Sequence, residues 1–257
     1  MFYDTPILRM LFKGSWVVEL DQGKQEFSDT AVFCGPNSKC LPVHVDGDFV
    51  TLSVALKPGA MGALGPFPMG PAMDRIIDYS AFGFDRDNLF ARFEGLVGNS
   101  EAMMLMVEEI MREYLEHKSG KEPDALTRAF DMAALADPNI KVSEFAEQHE
   151  VSAKKVERIV KRDFGLSPKK VLRRARALDM AAILRGVGDY DEGDEMLLRY
   201  FDQSHLNREF VEFFGMSPMQ FVQTPLPLLT LALETRQSRR LEALGRLEGG
   251  EKRPWES

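Results

Sequence analysis

The sequence predicts an α+β protein: a small β-barrel or sandwich followed by helices in its first half, and an all-α second half. Three observations predict it. Residues 1 to about 75 hold short β-branched and aromatic runs separated by Gly, Asp, Asn and Pro clusters. Further along, apolar residues recur at helical spacing. Finally, Val151–Pro168 aligns without a gap over eighteen positions with Phe201–Pro218, fifty residues on, matching Arg158, Phe164, Gly165, Ser167 and Pro168 with Arg208, Phe214, Gly215, Ser217 and Pro218, so one structural unit is used twice.

Ser15–Leu20, Ala31–Cys34 and Phe49–Leu56 are the strand candidates, set apart by Asp21-Gln22-Gly23 and Asp46-Gly47-Asp48. Pro58–Pro71 is rich enough in Gly and Pro to predict an irregular loop over one end. Two helices follow. Arg86–Val97 carries Leu89, Phe90, Phe93 and Leu96 on one side. Glu101–His117, capped by Ser100, carries Met103, Met106, Val107, Ile110, Met111, Tyr114 and Leu115. That Met-rich stripe has two readings, packing against its own domain or a homodimer seam, because methionine surfaces adapt to partners. Ser119–Asp124 has linker composition, which divides the chain into a β-rich unit with two helices (1–118), a linker (119–124) and a helical unit (125–222). A C-terminal helical extension (223–248) and a disordered tail (249–257) complete the expectation.

In the repeat, Ser152 and Asp202 are helix N-caps, whose oxygens accept from backbone N–H groups left orphaned in the first turn. Apolar positions 156, 160 and 164, and their counterparts 206, 210 and 214, form one stripe. Lys154, Glu157, Arg158 and Lys161 fall on the other side, as do Ser204, Asn207 and Arg208. Gly165 and Gly215 are left-handed stops, each followed by a Ser-Pro that caps and opens another helix. A short helix at Val142–His149 precedes the first copy, and Ala125–Leu135 precedes that. Helix, tight turn and a second helix with a polar face is the helix-turn-helix arrangement, whose second helix can lie in the DNA major groove.

The stretch Asp202-Gln203-Ser204-His205-Leu206, with Arg208, Phe210 and Gly215-Met216-Ser217-Pro218, resembles the signature of the AraC/XylS family of bacterial transcription regulators. The likeness covers roughly 125–222. It implies two helix-turn-helix units joined by a linker helix, 168–185, and bound to consecutive major-groove segments. Carried onto this chain, the base-facing residues are Lys154, Glu157 and Arg158, then Gln203, Ser204, Asn207 and Arg208. Lys161 shares the polar side. Ser167 and Lys169 mark a helix N-terminus suited to a phosphate, since free N–H groups and the helix dipole favour an anion there. The resemblance also implies a cupin-like N-terminal barrel that senses a small-molecule effector, a homodimer in some members, and RNA polymerase as a further partner. The chain departs from the family at Arg199, where a glycine is usual, and at Glu195, where a small residue is usual. Those departures put the second unit's first helix in question. They motivate the alternative of a helical protein-interaction module that has lost specific DNA binding.

A formal charge of -8 argues against a nucleic-acid partner only if it is evenly spread. From Ser152 to Arg176 there are ten Lys or Arg against two acids. From Asp191 to Pro218 there are seven acids against two Arg. The first unit and the linker helix are therefore expected to supply most of the attraction to DNA. No apolar run nears a membrane span and no signal region opens the chain, so the expectation is a cytoplasmic protein without membrane contact. Cys34, Cys40 and His44 match no zinc spacing, so neither metal nor cofactor is expected. No catalytic residue stands out, and a metal-dependent cupin enzyme lacks its ligands.

Overall fold

A computed structural model of the chain describes residues 1–64, 68–116, 122–188 and 203–245. Three long strands, β1 (Ile7–Leu20), β2 (Gly23–Cys34) and β3 (Val43–Ala55), join the three-residue β4 (Ile76–Asp78) in one antiparallel sheet of order β3-β1-β2-β4. The sheet is open, with β3 and β4 at its edges, rather than the closed barrel or sandwich expected. Its strands are also longer than the apolar runs suggested. Asp46-Gly47-Asp48, read as a turn, lies inside β3, where the register with β1 shifts between Lys13 and Ser15. Facing it, Gly14 has φ +86°, and a Cβ there would sit 2.6 Å from the Asp48 carbonyl oxygen. The glycines thus accommodate an irregularity in a continuous ladder, a use of glycine that a sequence cannot tell from a turn.

One sheet face carries Met10, Ala31 and Phe33, with Leu52 and Val54 packed against that cluster. The other carries Ile7, Leu11, Trp16, Val18, Val32 and Cys34. The first is covered by α1 (Met61–Leu64), α2 (Met69–Ala72), α3 (Arg86–Ala91) and α4 (Ser100–Glu116). Two of these helices fall in the stretch expected to be an irregular loop. Met61, Leu64, Met69 and Ala72 are buried in that core, and tertiary burial outweighs the poor helix propensity of Gly and Pro. The Met-rich stripe of α4 packs on the sheet, and the Tyr114 hydroxyl donates to the Leu64 carbonyl at 2.7 Å. Met104 and Leu105 remain exposed on the same helix. Cys34 is buried within β2, and burial pushes its thiol up to about 11.

The helical half comprises α5 (Ala125–Ala136), α6 (Val142–Gln148), α7 (Ala153–Phe164), α8 (Pro168–Leu184), α9 (Gln203–Phe214), α10 (Pro218–Gln223) and α11 (Pro227–Ala243). Local chemistry sets the ends. The hydroxyls of Ser152, Ser167 and Ser217 accept from Lys155, Lys170 and Gln220 backbone N–H groups. Gly165 and Gly215 stop α7 and α9 at φ +75° and +71°. The acidic stretch 191–195, Arg199 and the Asp202 cap lie outside the described residues, as does the tail 249–257 expected to be disordered.

The long helix α8 belongs to two cores at once. Val171, Leu172 and Ala175 pack with Phe130, Phe145, Val156, Val160 and Phe164. One turn on, Leu178, Ala181 and Ala182 pack with Phe210, Phe213, Phe214 and Phe221, and Phe2 from the chain's first residues joins them. The extension helix α11 crosses both. Leu229 and Leu233 enter the second core, while Arg239 reaches Asp131 of α5 at 3.2 Å and Arg240 donates to the Leu135 carbonyl at 2.9 Å. Between them Arg236, 4% exposed, bonds Asp4 at 3.1 Å and also Asp179 of α8. Burial raises the Asp179 carboxyl despite Arg236 and Arg240. An ionic cluster thus fastens α11, which buries Arg236, Gln237, Ser238 and Arg240 beside its leucines, to the sheet half and to both helical cores.

Candidate nucleic-acid interface

The first unit's polar face is built on α7, whose inner side is pinned by Val156, Ile159, Val160 and Phe164. That burial turns Lys154, Lys155 and Arg158 outward, all three exposed. Lys169, exposed, and Lys170, half-buried, stand on the first turn of α8 beside the Ser167 cap. None of these five cations has a carboxylate partner among the described residues. Glu157 is different: Lys161 pairs with it at 2.9 Å, one turn along the same helix. Such an exposed pair contributes little stability, and it lowers the net charge that the middle of the face presents. Arg162 turns away to Asp163, at 2.6 Å.

The three arginines of the linker helix do not face outward, contrary to what the raw charge count suggested. Arg173 bonds Glu209 and Glu212 of α9, both at 2.6 Å. Arg176 donates to the Pro138 carbonyl at 2.9 Å and lies 3.8 Å from Glu209. Arg174 is 1% exposed and donates to the carbonyls of Asn37 and Asp4 at 2.8 and 2.9 Å. Burial pushes its guanidinium down to about 10, with Asp4 opposing. So the basic and acidic runs partly cancel inside the molecule. Residues thirty-six and thirty-nine positions apart form these bonds, and no periodicity in the chain marks them.

In the second unit α9 buries Phe210, Phe213 and Phe214 and presents Asn207 and Arg208 to solvent, with Val211 on the same side. Gln203 and Ser204 occupy its first turn, and their side chains lie outside the described residues. Glu209 faces inward, where the arginines of α8 hold it.

Residues 145–224 match the family model described as a helix-turn-helix domain. The chain is also similar to solved structures of ToxT from Vibrio cholerae. One, the P21 crystal form, has 9% identity over 87% of this chain and 91% of that one, with a TM-score of 0.50. Another, from strain O395, has 7% identity over 87% and 90%, with a TM-score of 0.49. No curated protein matches the sequence. At such identities the first of these likenesses speaks for the fold, an antiparallel sheet with helices joined to a helical domain. The fold and the matched segment define a helix-turn-helix DNA-binding protein. More particularly, the matched segment 145–224 is a helix-turn-helix of the AraC type, which supports a DNA-binding transcription regulator. No helix among the described residues is long and apolar enough to cross a membrane.

Proposed function

We propose that α7 and α9 enter consecutive major-groove segments, with α7 and the start of α8 supplying most of the affinity. The observation that carries this reading is the set Lys154, Lys155, Arg158, Lys169 and Lys170, which no described carboxylate engages, against a linker helix whose arginines are committed internally. Lys154 and Arg158 lie one turn apart on the exposed face and are assigned to base edges. Lys155, Lys169 and Lys170 are assigned to phosphates, with Ser167 and the N–H groups it leaves open at the α8 N-terminus. Lys161 and Glu157 act as a pair: DNA competes for the lysine, and a cytosine amino group competes for the carboxylate. Gln203, Ser204, Asn207 and Arg208 read the second segment.

Around this core reading we place a cytoplasmic regulator divided at 119–124, with RNA polymerase as a downstream partner. Met104 and Leu105 of α4 are the candidate homodimer contact. A small-molecule effector is taken up by the sheet half where it meets the helical half. No catalytic residue is assigned.

Fluorescence anisotropy with promoter fragments and random duplex at several salt concentrations tests the DNA reading. Lys169→Ala is expected to weaken both duplexes alike and to lower the slope of log K against log salt by about 0.9, the share of one phosphate. An unchanged slope would remove Lys169 from the interface. Absence of duplex binding even in dilute buffer would end the proposal.

A further inference from the structure

The outer face of α9 carries an apolar residue among polar ones. Val211, 48% exposed, stands one turn beyond Asn207 and Arg208, which are both exposed. Phe210, Phe213 and Phe214 are buried and fix which side of the helix turns outward. Positions 204, 207, 208 and 211 fall three and four apart, so they share one face. The repeat presents that face a second time. Fifty residues earlier the same positions are Lys154, Glu157, Arg158 and Lys161, the polar side of α7. Val211 therefore stands where the first unit has Lys161. Scattered exposed apolar residues are ordinary on a protein surface, but this one lies on the face that meets the groove. The charge around it is also settled. The acids of α9 are Glu209 and Glu212, and Arg173 of α8 holds both at 2.6 Å.

We infer that Val211 is a specificity-determining residue that reads the C5 methyl group of a thymine in the second major-groove segment. The inference rests on the DNA-binding reading above. Among the four bases only thymine presents an apolar group in the major groove. Valine has neither donor nor acceptor, so it gains only where a methyl group leaves water with it. Cytosine in the same place offers an amino donor that the valine would desolvate without accepting from it. One helical turn advances about 5.4 Å and one base pair about 3.4 Å, so the thymine lies one or two base pairs from the base under Asn207. Adenine is the bidentate match for that asparagine. The two units thus differ in kind at this position. The first presents Lys161, paired with Glu157 at 2.9 Å, and the second presents two methyl groups. With Arg173 holding Glu209 and Glu212, no carboxylate of α9 opposes so close an approach to the duplex.

A duplex selected from a random library by the full chain, its thymines replaced one at a time by deoxyuridine, tests the assignment by fluorescence anisotropy. Deoxyuridine removes the methyl group alone and keeps both the pairing and the O4 acceptor. In the wild type one replacement is expected to weaken binding about fourfold, the weight of one buried methyl group. At that position 5-methylcytosine is expected to bind about fourfold tighter than cytosine, for the same reason. Val211→Ser is expected to bind the thymine and deoxyuridine duplexes equally. Val211→Thr, which keeps one methyl group in place, is expected to retain the preference. Val211→Ala, favoured in a helix, replaces the serine variant if thermal midpoints show that it fails to fold. A wild type indifferent to every thymine methyl group, a preference that survives Val211→Ser, or one lost equally in Val211→Thr would overturn the role of Val211 and leave the DNA reading standing. A chain that enriches no duplex from the library would overturn the DNA reading, and this inference with it.

Discussion

Arg158→Ala is expected to cost about 1–3 kcal/mol of discrimination, roughly 5- to 150-fold in the ratio of specific to random binding, the usual value of one bidentate base contact. The side chain is exposed on α7, one turn from Lys154, and makes no ion pair among the described residues that would have to break before it reaches a base. Its neighbours sharpen the contrast. Lys161 is already paired with Glu157 at 2.9 Å, so Lys161→Ala removes a cation whose field is half cancelled and exposes a carboxylate to the phosphates. That variant is expected to weaken all duplexes with little change in their ranking. Anisotropy against a selected site and a scrambled one, at one fixed salt concentration, separates the two patterns. Equal losses on both duplexes for Arg158→Ala would move it from base reading to backbone contact.

The largest effect on stability is expected at Arg236. Its guanidinium is buried between Asp4, at 3.1 Å, and Asp179, so Arg236→Met leaves the buried Asp179 and the half-buried Asp4 carboxylates without their main partner. Breaking a buried pair in this way costs about 3–5 kcal/mol. In a protein of this size that corresponds to a fall of roughly 6–20 °C in the thermal midpoint. Following the Arg236→Met change with Asp179→Leu is expected to recover part of the loss, because an apolar pair avoids the desolvation that the ions incur. Calorimetric melting of the single and double variants checks this. A single variant that melts with the wild type would show that the cluster contributes nothing net.

Much of the helical half could be read from the chain because its determinants are local. Ser152, Ser167 and Ser217 act within three residues of themselves, and Gly165 and Gly215 act at a single φ, so caps, stops and the two copies of the motif were all visible. The sheet was half legible. Its apolar runs marked the strands, but Gly47 carries the same letter whether the backbone turns back or merely bulges, and only the pairing with β1 decides. The least legible features were those made by partners far apart in sequence. Arg173 with Glu209, Arg174 with the Asp4 carbonyl and Arg236 with Asp4 are each unremarkable charges in the sequence. Counting charges therefore assigned to DNA three linker arginines that the fold spends on itself. The same contacts decide which lysines are left outside.

The shared helix α8 has a consequence for operator architecture. Because one rigid rod contributes Val171 and Leu172 to one core and Leu178 and Ala181 to the other, neither module can swivel without repacking its own interior. A spacer lengthened by one base pair rotates the distal half-site by about 35° around the duplex axis, a phase error that a hinged protein would absorb and this one cannot. Promoters under its control should therefore drift freely in letter at many positions while keeping their helical phasing fixed.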